Sequence, residues 1–366
     1  MTLIAVNLLS YTGTKGGMET YARELYRQLG DMQTDFTFVG LFSREGFQLD
    51  TSWFPGQVID TGISGENRFV WAFGELFRVA RIARRHGADL IHSPATLGPM
   101  RSSMPSVLTM HDMLYWSHPE LMSTPFYTGP VKWMERRAAA NAARIMTDSK
   151  SSAREIEKYL RFDPARLHVV PLAGTPPTGA ILERSSQSSN VILATGNRRP
   201  HKNWAGLIRA LPYVEESIRP KLIITGSRGD DPLRAVVEEL GMERWVDLRS
   251  WVGDEELRDL YASAAVMAMP SFCDGFCLPA LEAMGVGLPV MMSDIPVYRE
   301  VGGDAALYFD PEDHRSIAQA ITTVATDPAA MQHLSELGRE RAARFSWLRT
   351  AEASLQVFRA ALGANV

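Results

Sequence analysis

Cysteine is nearly absent: Cys273 and Cys277 are the only two in 366 residues. So few exclude a disulfide framework and a four-thiolate zinc site, and a reducing, cytoplasmic compartment is expected. No uninterrupted apolar run approaches the roughly 18 residues that a membrane-spanning helix needs. An excess of one charge is missing too. The 38 Lys and Arg stand against 42 Asp and Glu, a formal net charge of −4, which argues against nucleic acid phosphate as the main partner. The opening MTLIAVNLLSYTG lacks the basic stretch, long apolar segment and cleavage site of a leader, and reads as a first strand. What is present is ordinary: 45% hydrophobic and 22% charged residues, a globular composition. At roughly 150 residues per domain, two domains are expected.

Short apolar runs alternate with helical-period segments. Strands are expected at 3–9, 36–42, 57–61, 89–93, 106–110, 144–149 and 167–172, with helices at 18–30, 68–87, 131–143 and 152–160. A segment rich in Pro, Gly, Ser and Thr follows, and the alternation restarts with strands at 191–196, 221–226, 245–250, 266–271, 289–294 and 307–310. Two helical stretches close the chain, one around IAQAITTVA and one from about Met331 to Leu362. Buried strands alternating with helices imply parallel sheets covered on both faces. The expected organisation is a doubly wound α/β domain over 1–172, a linker over 173–190, a second such domain over 191–345, and a helix over 346–366 packing back on the first. Ligands of such sheets bind at the carboxyl ends of the strands, and with two domains a cleft between them is expected.

The most informative segment is PSFCDGFCLPALEAMGVGLPVMMSD (270–294). A strand ends, a tight loop carries Asp274 before Gly275, and Pro279 suits the first turn of a helix in which Glu282 lies one turn in. Carboxylates suit sugar and ribose hydroxyls, whereas free amides and a helix dipole suit a diphosphate. Taken singly, Asp274 reads equally as a turn residue and Glu282 as a helix-dipole partner. A second segment, ATGNRRPHKNWAGLIRAL (194–211), opens a helix from a basic loop after Gly196, a place for a diphosphate or for a solvated loop. YTGTKGGMETYARELYRQL (11–29) puts Gly16 and Gly17 at a helix start, and SVLTMHDMLYWSHPE (106–120) puts His111 and Asp112 just past a strand.

Together these four segments resemble, in order, the motifs of retaining glycosyltransferase family 4, which has the GT-B fold of two Rossmann-like domains. Residues 270–294 resemble its E-x7-E motif, with Asp274 in place of the first Glu. Residues 194–211 resemble its G-x-x-x-P-R-K-N stretch, with His201 where Arg is common, and residues 11–29 resemble G-G-x-E-x-Y-x-x-E-L. The resemblance implies that Asp274 contacts the transferred sugar, that Gly275, Phe276, Cys277 and Leu278 offer amides to sugar and phosphate, and that Glu282 holds the donor ribose. It also implies that Gly16, Gly17 and Gly196 let the backbone approach the donor, and that Lys202 binds the diphosphate with Arg198 or Arg199. His111 would lie against the transferred sugar once the domains close, and Asp112 would shape the acceptor site.

The implied reaction moves a sugar from a nucleotide-diphospho-sugar to a saccharide or lipid-linked acceptor hydroxyl, with retention and without a metal or other cofactor. GDP-mannose is favoured as donor, as in bacterial polysaccharide synthesis. The rivals are a nucleotide-sugar epimerase of the same fold, a non-catalytic glycosyltransferase-like subunit, and a dehydrogenase, which the lack of a full G-x-G-x-x-G counts against. The C-x3-C pair has no further ligand at metal spacing. The helix at 68–87, with its aromatic residues and arginines, reads either as core stripe or as a peripheral contact with an anionic membrane at the inner face.

Overall fold

The computed structural model describes residues 1–14, 16–122, 125–175 and 190–363. Its strands form two sheets in which every pairing is parallel. The first contains β1 (Thr2–Leu8), β2 (Phe36–Phe42), β3 (Gly56–Asp60), β4 (Leu90–Ser93), β5 (Ser106–Thr109), β6 (Arg144–Thr147) and β7 (Leu167–Val169), in the spatial order β3-β2-β1-β4-β5-β6-β7. The second contains β8 (Val191–Thr195), β9 (Lys221–Ser227), β10 (Val246–Ser250), β11 (Val266–Met269), β12 (Val290–Ser293) and β13 (Leu307–Phe309), in the order β10-β9-β8-β11-β12-β13. Every strand expected from the sequence is present, with ends shifted by a few residues. Ile4, Ala5 and Val6 in β1, and Ile192, Leu193 and Ala194 in β8, are fully buried. Continuous apolar runs are what a parallel sheet covered on both faces demands, and each such Ile, Leu or Val contributes about 1.5–3 kcal/mol by leaving water.

The chain forms two compact units, Met1–Leu172 with Ser346–Val366, and Ala173–Phe345. Most of the expected linker, from 176 to 189, lies outside the described residues. The first unit's helices are α1 (Gly17–Asp31), α2 (Arg68–Phe73), α3 (Val79–Arg85), α4 (Leu114–Ser117), α5 (Pro125–Asn141) and α6 (Lys150–Tyr159). The second unit has α7 (Trp204–Ala210), α8 (Arg234–Glu239), α9 (Asp254–Ser263), α10 (Leu278–Gly285), α11 (Pro296–Gly302), α12 (His314–Thr326) and α13 (Pro328–Ala342). A last helix, α14 (Trp347–Ala361), belongs to the first unit. There Thr350 Oγ1 donates to Pro171 O at 2.7 Å, Arg359 pairs with Asp35 at 2.8 Å, and Phe358 lies against the rings of Phe36 and His92.

Two expectations need correction. The helix expected as continuous over 68–87 is interrupted by a π-helical turn at Gly74–Arg78. Gly74 sits so close to Ile63 that a side chain there would meet Ile63 Cγ2 at 2.7 Å, and Glu75 is drawn inward by Asn7 and Trp71. The extra residue of the π turn accommodates both. The run from Met331 to Leu362 is broken between α13 and α14, where the Ser346 side chain accepts from Arg349 N at 3.3 Å and caps the new helix.

Strand order reverses beside the first strand of each sheet, between β1 and β4 and between β8 and β11. Loops at the carboxyl ends of strands flanking such a switch point are the ligand-binding places of α/β sheets. The loops after β1, β8 and β11 carry three of the four sequence motifs, and the fourth, with His111 and Asp112, follows β5, next to β4.

Candidate functional site

In the second unit, two loops are joined at the switch point. The loop after β8 starts at Gly196, whose φ of +146° is a glycine conformation, and Gly226 of β9 lies so near that a side chain there would meet Gly196 O at 2.5 Å. Asn203, in the left-handed conformation that Asn tolerates, starts α7 by accepting from Gly206 N at 3.2 Å and ties it to Pro311 O at 2.9 Å. The loop after β11 is bound to this one: Phe272 N donates to His201 O at 2.9 Å, and Lys202 Nζ lies 2.7 Å from Asp274 Oδ2. Sequence positions 72 apart thus form a charged pair.

Asp274 is held from three directions. Its Oδ1 accepts from Gly275 N at 2.9 Å, and its Oδ2 lies 2.9 Å from the Tyr298 hydroxyl as well as near Lys202. Burial pushes its pKa up, but the Lys202 charge and hydrogen bond, His201 and Tyr298 outweigh this and hold the carboxyl below its ordinary value. It is therefore an anion at neutral pH. Cys277 follows as the N-cap of α10 with φ +102°, and Pro279 stands in the first turn. Gly275, Phe276, Cys277 and Leu278 are all buried around this helix start. Glu282, one turn further, accepts from the Tyr261 hydroxyl at 3.2 Å. Gly174 packs directly on its backbone, where a side chain would meet Glu282 N at 2.6 Å. Both cysteines are free, and burial pushes the Cys277 thiol up to about 12, so it is no thiolate nucleophile.

The basic loop sorts its cations. Arg198, one of two candidates for the second phosphate cation, is engaged by Asp231 within the unit. Its guanidinium pairs with Asp231 at 2.8 Å and donates to Thr225 O at 2.8 Å and Ile224 O at 3.0 Å, which fastens the loop to β9. Arg199 is exposed.

In the first unit, Gly16 caps α1 with φ +63° and ψ −126°, and Gly17 is its first residue. The carboxylate of Glu19 reaches back to Thr12 N at 2.6 Å and Thr14 N at 3.2 Å, closing the loop onto the helix. His111, past β5, is buried with Nδ1 at 2.7 Å from Asp148 Oδ2 and Nε2 at 2.9 Å from Pro94 O. Both partners are acceptors, so the site favours a proton on each ring nitrogen. Burial pushes its pKa down, yet the Asp148 charge and hydrogen bond, with Pro94 O, raise it above the ordinary value. Asp112 Oδ1 accepts from Leu114 N at 3.1 Å and starts α4.

Tyr298, Tyr261, Asp231 and Asp148 were not foreseen. Each acts on a motif residue from a distant strand-end loop or helix; the apolar-run pattern that locates strand ends could have pointed to Asp148 and Asp231, whereas Tyr261 in α9 and Tyr298 in α11 carry no such signal. Asp148 is the clearest instance, directly after β6 as His111 is two residues after β5.

Two family models match the chain: residues 15–173 match Glycosyltransferase Family 4 and residues 183–341 match Glycosyl transferases group 1. The chain is 32% identical over 286 residues to O-antigen chain mannosyltransferase B of Escherichia coli, covering 74% of each. It is 29% identical over 307 residues to MMP alpha-(1->4)-mannosyltransferase of Mycolicibacterium hassiacum, covering 78% of this chain and 74% of that one. Among solved structures it is similar to sucrose-phosphate synthase from Thermosynechococcus elongatus, with TM-score 0.79, 18% identity and full coverage of both chains. It is also similar to Anabaena HepE in complex with UDP-glucose, with TM-score 0.74, 16% identity and coverage of 98% and 100%.

Proposed function

Because the chain belongs to glycosyltransferase family 4 and has the GT-B fold, we propose that it is a retaining hexosyltransferase taking its sugar from a nucleotide-diphospho-sugar. The acceptor is a hydroxyl of a saccharide or lipid-linked molecule, and the enzyme works at the inner face of a membrane. Mannose from GDP-mannose is the donor this reading favours, supported by the two mannosyltransferase relatives.

The observation that carries the reading is the Lys202–Asp274 pair at the N-terminus of α10, with Glu282 one turn along. Asp274, an anion, accepts hydrogen bonds from hydroxyls of the transferred sugar, and Glu282 accepts from the ribose. The leaving diphosphate gains charge as the glycosidic bond breaks. Lys202, Arg199 and the amides at the start of α10 stabilise that charge where it develops, which is the contribution that lowers a barrier. Among the first unit's groups, His111 is held in place by Asp148. The acceptor oxygen attacks on the face from which the diphosphate leaves, and a phosphate oxygen takes its proton.

The test is to incubate the protein with GDP-mannose and saccharide acceptors and to read the product by NMR. An α-mannoside supports the reading. An inverted anomeric centre overturns the retaining mechanism, and donor turnover with no acceptor points to the epimerase. Glu282→Gln is expected to weaken donor binding, and unchanged affinity would remove its ribose role.

A further inference from the structure

The two ion pairs of the second unit's motif loops are built differently. Arg198 and Asp231 are sealed, with side-chain exposures of 8% and 6%, and the guanidinium is also fixed on Thr225 O and Ile224 O. Lys202 and Asp274 each keep 17% exposure. Here the cation is an ammonium on a flexible stem, a point charge that changes partners more readily than a guanidinium fork. The Asp274 carboxylate is nearly full. Its oxygens offer about four lone-pair sites, and three donors occupy them: Gly275 N at 2.9 Å on Oδ1, with the Tyr298 hydroxyl at 2.9 Å and Lys202 Nζ at 2.7 Å on Oδ2. Gly275 N belongs to the same turn, and Tyr298 is fully buried with its hydroxyl 2.8 Å from Ser271 Oγ. Of the three donors, Lys202 is the one whose stem lets it leave.

We propose that Asp274 holds Lys202 in reserve: hydroxyls of the correct sugar take the place of the ammonium on Oδ2, and the released cation turns to the departing diphosphate. This rests on the proposed function and adds to it a coupling between sugar recognition and leaving-group stabilisation. A bound sugar donates O–H groups to the carboxylate while the ammonium gains a phosphate, so each charge keeps a partner. A nucleoside diphosphate without its sugar brings no such donors. It must draw Lys202 away from Asp274 and leave a carboxylate beside phosphate charge in a poorly screened place, where like charges repel. The pair therefore selects the loaded donor over the spent one and helps the product leave. Gly275 N and Tyr298 keep the short aspartate stem in place when the cation departs. A sugar that lacks the matching hydroxyl leaves Lys202 on Asp274, so the wrong donor loses transition-state stabilisation as well as binding.

Calorimetry on the full chain with GDP-mannose against GDP, and with UDP-glucose against UDP, tests this in a double-mutant cycle. For the pair that the parent binds, Asp274→Asn is expected to tighten the nucleoside diphosphate at least fivefold and not to tighten the nucleotide-sugar. Asp274→Ser, a second neutral variant, should shift the ratio of the two affinities the same way. The loss of diphosphate affinity on Lys202→Ala should be at least threefold greater in the Asp274→Asn chain than in the parent, because there the cation has no carboxylate to satisfy. Diphosphate affinity unchanged or weakened in both neutral variants overturns the proposal and leaves the glycosyltransfer reading standing. An equal loss on Lys202→Ala in the two backgrounds overturns it too, since it would show that the carboxylate and the phosphate do not compete for the cation. A parent chain that binds none of the four ligands removes the glycosyltransfer reading and this coupling with it.

Discussion

Asp274 is fixed by a cation and a phenol arriving from different elements, Lys202 before α7 and Tyr298 in α11. Aspartate is one methylene shorter than the glutamate of the family motif, and Tyr298 supplies a contact that the shorter stem can use. Its hydroxyl also lies 2.8 Å from the buried Ser271 Oγ. Tyr298→Phe is expected to lower affinity for the nucleotide-sugar several-fold while leaving nucleoside diphosphate affinity unchanged, both read by calorimetry. Equal loss for the two ligands would show a merely structural role. Lys202→Ala is expected to lower kcat/KM at least tenfold, about 1.4 kcal/mol of transition-state stabilisation; near-normal kinetics would refute its role at the diphosphate. At this scale the sequence was half legible. Asp274, Glu282 and Lys202 stand in recognisable local patterns, because their geometry comes from one loop and one helix start. Arg198 stands in such a pattern as well, yet Asp231, 33 positions away, engages it. Tyr298 and Asp148 lie 24 and 37 positions from their partners, and no local periodicity encodes contacts that only the sheet order creates.

The element that departs most from its sequence pattern is the helix over 68–85. The π turn at Gly74–Arg78 adds one residue and shifts the apolar phase only once, an offset too small to read from spacing in so short a run. The strands were legible because parallel sheets buried on both faces write uninterrupted apolar runs. The π turn also stores a titration. Burial pushes Glu75 up to about 8, against hydrogen bonds from Asn7 and Trp71 that pull it down. In the unfolded chain it titrates near its ordinary value, 4.5. The folded protein therefore holds this proton more tightly, and the stability Glu75 contributes is complete below about 4.5 and lost as pH rises through about 8. Glu135, likewise raised to about 8 by burial, adds to the same decline. Thermal melts across this window should show a falling Tm, and Glu75→Gln, neutral at every pH, should flatten the fall. An unchanged slope would show that the carboxyl is ionised in the fold.

For the whole molecule, a net charge of −4 conceals a sorted surface. Arginines gather on one exposed helical side of the first unit, and a basic loop follows β8 in the second. A sum over the chain therefore says little about either phosphate or membrane binding. Two sheets with reversed strand order, each with motif-bearing loops at its switch point, were implied by the alternation of runs and helices. The central claim is that the Lys202–Asp274 loop pair holds a nucleotide-diphospho-sugar. The most direct measurement is thermal unfolding of the full chain against a panel of nucleotide-sugars, GDP-mannose and UDP-glucose included. A ligand at a hundred times its Kd stabilises by about 2.7 kcal/mol. The prediction is that one sugar nucleotide raises Tm and that Lys202→Ala reduces the shift. A panel that leaves Tm unmoved, or a shift that Lys202→Ala leaves intact, would contradict it.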